Sequence, residues 1–419
     1  MSVGNERTTG LRDRDLPAVA VLLGDGVPAP LSATLAPART TVETAAATQV
    51  TWWPGRSITV RYRVTLRGGV SGPREMVAVS GSIPEGAAVV SDGESTIGVW
   101  LVPFDPGLPG LASAMDEGTA RRLMADLGAG DGLVRSRLRA YRPGRRAVVE
   151  IIGERWRVFV KIVPPSEVNR LHHTHLELEK AFPVPRTLGF DRDLGVVALH
   201  AMPGLTLRRA FEDAAEPLPP PPAIEQILRG LSPLEPRTTV RSPIERLPEI
   251  AGLLSLLLPE EAGRVARLVD RIGSDGEAAT VASHGDFHEA QILVAGGSLA
   301  GLLDLDTFGE GRPGDDPATM LGHLATWRQS TAQPDRVAAY GRALLGIWEA
   351  RIDPDDLRLR AAAVVAALAT GPFRVQRPSW PDEVRRRLDL AERWADTAHG
   401  LDERDLITAS GSVHDRPAF

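Results

Sequence analysis

Residues 283–308 read SHGDFHEAQILVAGGSLAGLLDLDTF, and the rest of the chain is placed by reference to them. An HGD triplet is followed, five residues after Asp286, by the amide side chain of Gln291. A short apolar strand, a Gly-containing turn and a second apolar strand then end on Asp304 and Asp306. Phosphoryl transfer asks a protein for positioning and charge neutralisation and for little covalent chemistry. A carboxylate within reach of an acceptor hydroxyl can orient it and take its proton late, and Asp286 is the candidate. Magnesium takes near-octahedral oxygen ligands at roughly 2.0–2.1 Å, one or two of them from the protein. Gln291 and Asp304 are the candidates for those positions. This pattern points to a kinase.

The composition narrows the alternatives. At 419 residues the chain is long enough for two or three domains with their own cores. A net charge of −6 without a basic block argues against a nucleic-acid partner. There are no cysteines, which excludes disulfides and thiolate chemistry. The opening MSVGNERTTGLRDRD lacks the apolar core of a signal peptide, and no apolar run approaches membrane-spanning length. The expectation is a cytoplasmic protein with no membrane partner. Of 48 basic residues only Lys161 and Lys180 are lysine, which makes each an anomaly. Lys161 lies in an apolar strand, VFVKIV, where a compact charge on a flexible stem differs from the planar fork of arginine. A lysine snorkelling from a strand edge is the bland alternative.

Strand periodicity appears from Thr51 onward, in SITVRYRVTL, REMVAVSG and TIGVWLVPF. Residues 116–128 predict a short helix. VRSRLRAY, AVVEII and WRVFVKIV, joined by short Gly-containing turns, predict an antiparallel meander with Lys161 on its third strand. WWPGRSITVRY set against YRPGRRAVVEI suggests a duplicated β unit whose first copy has no lysine. Residues 166–181 predict a helix capped by Ser166, and GVVALHAM another strand. The run PLPPPP at 217–222 reads as a loop or extended spacer. Helical periods follow at 244–258, 260–273, 334–350, 355–369 and 381–398.

With these residues in order, the HGD triplet, its downstream amide and LLDLDTFGEGRPGDDPA resemble the aminoglycoside phosphotransferase family of small-molecule kinases. The resemblance runs over roughly residues 133–330. It implies an α+β, two-lobe protein-kinase-like fold with a β-rich N-lobe and a mainly helical C-lobe. The expected division is an N-terminal β-containing extension over 1–125 (a candidate degenerate N-lobe-like unit), the N-lobe over 126–203 and the C-lobe over 204–419. ATP and magnesium are the implied cofactors, and a hydroxyl-bearing aminoglycoside, sugar or metabolite is the implied acceptor. Carried over by residue, Asp286 becomes the catalytic base and Asp304 the metal carboxylate, with Gln291 beside it. Lys161 would meet the α/β-phosphates, and the PGRR turn with Gly144 and Arg145 would cover them. The hinge meeting adenine would run from Leu199 to Met202, and His284 would support the catalytic loop.

Three positions depart from the family pattern. Gln291 stands where Asn is usual, and its extra methylene moves the amide by roughly 1.5 Å. Sugar-directed relatives such as maltokinases carry Gln here. Arg312 replaces an acid in GEGRPGDDPA, leaving Asp316 to match the later Asp and to cap the following helix. The glutamate that should pair with the lysine is unassigned, since one count favours Glu177 and another lands near Leu171. The alternative reading is therefore a nucleotide-binding pseudokinase acting as a regulatory or interaction module. His172, His173 and His175 read as a polar helix face rather than a zinc site. His288 reads as solvent-facing, and Trp52–Trp53 as packed aromatics. Segments 310–336 and 370–380, with Asp315, Asp335, Arg374 and Arg377, are the expected acceptor walls.

Overall fold

The structure, a computed structural model, describes residues 10–276 and 279–398. The chain divides into two compact units. The first comprises Met1–Met202 with Ser255–Pro259 and Gly371–Pro381, and the second Pro203–Leu254, Glu260–Thr370 and Asp382–Phe419. No helix among the described residues is long and apolar enough to cross a membrane.

The first unit contains two five-stranded antiparallel sheets. Helices α1 (Ala18–Leu22) and α2 (Pro28–Leu35) precede β1 (Thr40–Trp53), β2 (Ser57–Gly68), β3 (Gly72–Ser80), β4 (Ala88–Ser91) and β5 (Thr96–Leu101). These strands lie in the order β1-β2-β3-β5-β4. Helices α3 (Gly110–Met115) and α4 (Glu117–Asp126) then precede β6 (Arg135–Arg142), β7 (Arg146–Ile152) and β8 (Arg157–Ile162). Helix α5 (Val168–Leu178) leads to β9 (Thr187–Asp191) and β10 (Val196–His200), giving the order β6-β7-β8-β10-β9.

Alternation decides which face of each strand is buried. Along β2, Ile58, Val60, Tyr62, Val64 and Leu66 are buried while Arg61 and Arg63 point the other way. Strand β3 is buried on both faces from Val77 to Ser80, as a strand covered on two sides must be. Val77, Val79 and Trp100 share one apolar cluster with Leu111 of α3, Met124 of α4, Val149 of β7 and Val160 of β8. A single core thus joins the two sheets through α3 and α4. A smaller cluster, Val163, Val168, Leu171, Val197 and Leu199, seals α5 against the opposite face of the second sheet.

The second unit opens with β11 (Leu205–Thr206), α6 (Leu207–Glu212), α7 (Pro221–Leu231), α8 (Pro243–Leu257, its last three residues counted with the first unit) and α9 (Ala262–Ile272). Strands β12 (Val281–Ser283), β13 (Ile292–Ala295), β14 (Ser298–Leu302) and β15 (Gly309–Gly311) follow. Helices α10 (Asp315–Arg328), α11 (Pro334–Glu349) and α12 (Pro354–Ala369) come next. The chain continues with α13 (Gly371–Arg374), which belongs to the first unit, and α14 (Trp380–Ala398). Helix α10 is buried almost all round. It meets α12 closely enough that a Cβ on Gly322 would stand 2.6 Å from Val364 Cγ1.

Several expectations change at this level. Strand β1 begins at Thr40, not Thr51; its alanine-rich start hides the alternation. The proline run does not end in a loop: Pro221 and Pro222 form the first turn of α7, where a missing N–H costs nothing. Ser166 sits in a 3-10 turn and does not cap α5. Trp52 is buried and its ring lies 6.4 Å from that of Phe373.

Candidate active site

Strand β12 pairs with β15, with Ser283 opposite Gly309, and this ribbon launches the HGD loop. Gly285 adopts φ +79°, and a Cβ there would stand 2.6 Å from the Thr307 carbonyl oxygen, so glycine is required. His284 and Phe287 are fully buried around Asp286, whose side chain stays 37% exposed. The loop is anchored from below by Asp316. Its Oδ2 accepts from the His284 main-chain N–H at 2.6 Å and its Oδ1 from that of Gly285 at 2.9 Å. The expected cap role is therefore corrected: α10 has no side-chain cap at its start, and Asp316 holds the HGD loop instead. Burial pushes the Asp316 carboxyl up from its ordinary range, while the two main-chain amides that donate to it pull it back.

His284 ties this loop to the hairpin that carries Asp304. Its Nδ1 accepts from the Asp286 main-chain N–H at 3.3 Å, and its Nε2 donates to the Leu303 carbonyl oxygen at 2.8 Å. A neutral imidazole protonated on Nε2 satisfies both bonds. The Leu303 N–H in turn donates to the Gln291 main-chain oxygen at 2.8 Å. Leu303 is thus gripped from both sides, directly before Asp304. Asp304 adopts φ 57° and ψ 62°, a left-handed conformation uncommon outside glycine. In that pose its Oδ2 lies 3.4 Å from the Gln291 side-chain nitrogen.

This approach tests whether a metal fits. A half-turn of the carboxamide exchanges its nitrogen and oxygen with no other movement. Two oxygens would then face each other at close to the ligand spacing of a magnesium octahedron, roughly 3 Å. The longer Gln291 side chain reaches Asp304, so the donor set fits.

The surroundings of Asp286 contain groups the sequence reading missed. His288 is only 12% exposed, not solvent-facing. Its Nε2 lies 3.2 Å from the Gln291 side-chain nitrogen and 3.8 Å from Asp286 Oδ2. The ring stacks on His323 with centroids 4.1 Å apart and planes 9° from parallel. Ligand atoms of Asp286, His288 and His323 all fall within 4.8 Å of one another. The stacked rings form a polar wall beside Asp286. Glu289 is sealed from solvent and paired with Arg208, whose guanidinium carbon lies 4.8 Å from the Trp327 ring centroid. A conspicuous charge at Asp286+3 was the available signal for this pair.

Other candidates turn out to be structural. Asp315 is buried and bonded to Arg360 at 2.8 Å, and Arg360 also engages Asp275 and Asp356. Burial pushes the Asp315 carboxyl up to about 6 against the pull of Arg360. It supports α10 and α12 and forms no acceptor wall. The three histidines of α5 find separate partners: His172 at Thr187 Oγ1, His173 at the Asn169 carbonyl and a buried His175 at the Pro185 carbonyl. Glu177 pairs with Lys180, the other lysine of the chain, at 2.8 Å.

In the first unit, Lys161 is buried on β8 between Val148 and Val197 of the neighbouring strands. It shares the α5 side of the sheet with Val197. The 143–145 turn presents an exposed Arg145, while the Gly144 N–H, at φ +65°, donates to Asp105 Oδ2 at 2.8 Å. On β10, Leu199 is buried opposite Phe159, and the next amides are engaged internally, His200 to Arg186 and Ala201 to Arg157. Met202 follows, half-buried.

The profile of the Phosphotransferase enzyme family matches residues 137–358, just over half of the chain. The chain belongs to this family, and it is a small-molecule kinase. Its fold is α+β, with a β-sheet part, a helical part and an additional N-terminal β region. Solved structures similar to it include a Ralstonia eutropha JMP134 protein described as an aminoglycoside phosphotransferase. That pair shares 12% identity at a TM-score of 0.47, covering 69% of this chain and 99% of the other. The gentamicin complex of APH(2")-IIa shares 14% at 0.46, covering 67% and 98%. The macrolide 2'-phosphotransferase MphH from Brachybacterium faecium shares 16% at 0.39, covering 68% and 99%. Similarity this loose carries no residue role and no substrate across. No curated protein sequence matches the chain.

Proposed function

We infer that the chain transfers the γ-phosphoryl group of ATP to a hydroxyl of a small molecule, an aminoglycoside, a sugar or another metabolite. The observation that supports this most is the grip on Leu303. His284 and Gln291 hold it from two sides, so the Asp286 loop and the Asp304 hairpin keep a fixed relation. Fixed relation is what phosphoryl transfer needs, because its barrier falls mainly through positioning and charge.

Asp286 would accept a hydrogen bond from the acceptor hydroxyl and take its proton as the new P–O bond forms and the bond from the γ-phosphorus to the bridging oxygen breaks, leaving ADP. Gln291 and Asp304 would hold magnesium, which when bound neutralises charge on the β- and γ-phosphate oxygens. Lys161 would place a point charge at the α/β-phosphates, and the Arg145 turn would cover them. The main chain from Leu199 to Met202 would meet the adenine. In this reading residues 126–203 act as the N-lobe, 204–419 as the C-lobe and 1–125 as an extension.

The test is a phosphorylation screen with γ-labelled ATP and magnesium over metabolites and antibiotics, run on the parent and on Asp286→Ala. Label should move to at least one hydroxyl compound in the parent and not in the variant. Nucleotide binding with no transfer by either protein would instead favour the regulatory pseudokinase.

A further inference from the structure

The two sheets of the first unit correspond in strand order and in register around their first hairpins. Each begins with a hairpin closed by Pro-Gly-Arg, at 54–56 and at 143–145. Trp53 pairs with Ser57 across the first turn and Arg142 with Arg146 across the second. Both glycines take nearly the same left-handed pose, φ +67° at Gly55 and +65° at Gly144. Following the ladders outward keeps the match. Ile58 faces Ser80 where Ala147 faces Ile162, so Val79 occupies the place of Lys161. One strand further, Val79 faces Gly98 where Lys161 faces Val197.

The segments ahead of the sheets match as well. DRDLPA at 13–18 and DPGLPG at 105–110 each lead into a short helix with proline just before it. In both, the Asp side chain turns back on its own loop: Asp13 Oδ1 accepts from the Asp15 N–H and Asp105 Oδ1 from the Gly107 N–H. The other oxygen reaches the hairpin turn. Asp13 Oδ2 accepts from the Gly55 N–H at 2.8 Å and from Trp52 Nε1 at 3.1 Å. Asp105 Oδ2 accepts from the Gly144 N–H at 2.8 Å and from the Tyr141 hydroxyl at 2.7 Å. Trp52 and Tyr141 hold the same place, three residues before the glycine.

We propose that residues 13–101 and 105–200 are two copies of one unit, the first without its nucleotide lysine, and that Asp105 is a positioning residue for the nucleotide phosphates. The first copy carries Val79 at the lysine position, and that face is packed into the core shared with α3 and α4. It has no room for a nucleotide there. The second copy keeps Lys161, and its turn is set by a buried carboxylate that also anchors Tyr141. Trp100, on the last-paired long strand of the first copy, donates from Nε1 to the Tyr141 hydroxyl at 3.0 Å. A hydrogen-bond chain therefore runs from the first copy through Tyr141 and Asp105 to the turn. The first copy serves as a rigid support for the second.

This rests on the reading of the second copy as the nucleotide lobe, so the experiment separates the two. Mg·ATP affinity is measured by calorimetry on the full chain, with melting temperature recorded alongside, for Asp105→Asn, Asp13→Asn, Tyr141→Phe and Lys161→Met. Asn offers one acceptor oxygen in place of two, so Asp105→Asn must release either the turn or its own loop. Loss of one charge-assisted bond predicts about a tenfold weaker Mg·ATP affinity for Asp105→Asn. Asp13→Asn breaks the equivalent tie in the first copy and should lower the melting temperature while leaving affinity within about twofold. Should Asp105→Asn fail to fold, Tyr141→Phe decides, with a several-fold loss expected. Equal weakening by Asp13→Asn and Asp105→Asn, or unchanged affinity in Asp105→Asn or in the deciding Tyr141→Phe, overturns the positioning role. Unchanged affinity in Lys161→Met overturns the nucleotide-lobe reading itself.

Discussion

The imidazole of His284 donates from Nε2 to the main-chain carbonyl of Leu303, 2.8 Å away. This bond ties the loop bearing Asp286 to the hairpin bearing Asp304. His284 is buried and accepts from the Asp286 N–H on its other nitrogen, so both ring nitrogens are committed. Replacing it with Ala should loosen Asp286, the proposed base, relative to Asp304, the proposed metal ligand. A displacement near 1 Å costs about a hundredfold in rate. The expected result is a fall in kcat of that size with a much smaller change in Mg·ATP affinity. Equal loss in both would mean the loop collapses and is not merely displaced.

Gln291 supports a prediction against family habit. Its side chain reaches Asp304 in this backbone, so Gln291→Asn restores the common residue but shortens it by roughly 1.5 Å. The magnesium concentration for half-maximal turnover should rise about tenfold, as a poorly placed ligand is poorly tolerated. Gln291→Ala should be at least as weak. A Gln291→Asn enzyme with parental magnesium dependence would mean that the amide does not ligate.

Arg208 and Glu289 make a stability prediction. The carboxylate is sealed from water, and one of its oxygens, Oε2, has no hydrogen-bond partner among the described residues. Arg208→Met should therefore destabilise by about 3 kcal/mol, because a buried charge loses its counter-ion. Replacing both partners with apolar residues should recover much of that loss. Chemical denaturation of the two variants gives the comparison.

Asp315 sets a pH dependence. Its carboxyl is pushed up to about 6, from burial opposed by Arg360, so the folded state holds this proton more tightly than the unfolded chain. Between the ordinary carboxylate range and about 6 the native state binds more protons at this site, and stability falls as pH rises. The contribution is on the order of 2–3 kcal/mol. Below that window the proton is bound in both states; above it the loss is complete. Asp315→Asn should flatten this part of the stability profile, measured by denaturation from pH 4 to pH 7 (about the window set by the two protonation states).

Much of this was legible beforehand because the relevant signals are local. The HGD loop and its hairpin stand as residues in register, the meander shows as period-two alternation, and Lys161 stood out in a chain of arginines. What was hidden depends on contacts between distant segments. Asp316 sits at the start of a helix, where a carboxylate usually caps, yet its bonds go to a loop more than thirty residues earlier. The alanines of β1 carry no strand pattern by themselves, because the neighbouring β2 supplies the apolar face. The prolines of α7 break helices in the interior but begin them at the first turn. Asp13 and Asp105 look like ordinary loop acids until the sheets bring each beside its own glycine turn.

The most direct measurement is single-turnover transfer from γ-labelled ATP to the acceptor found by screening, for Asp286→Asn against the parent, with Mg·ATP affinity determined for both. If Asp286 is the base, transfer falls by about a hundredfold or more while nucleotide affinity stays near that of the parent. Transfer by Asp286→Asn at the parental rate would contradict that assignment.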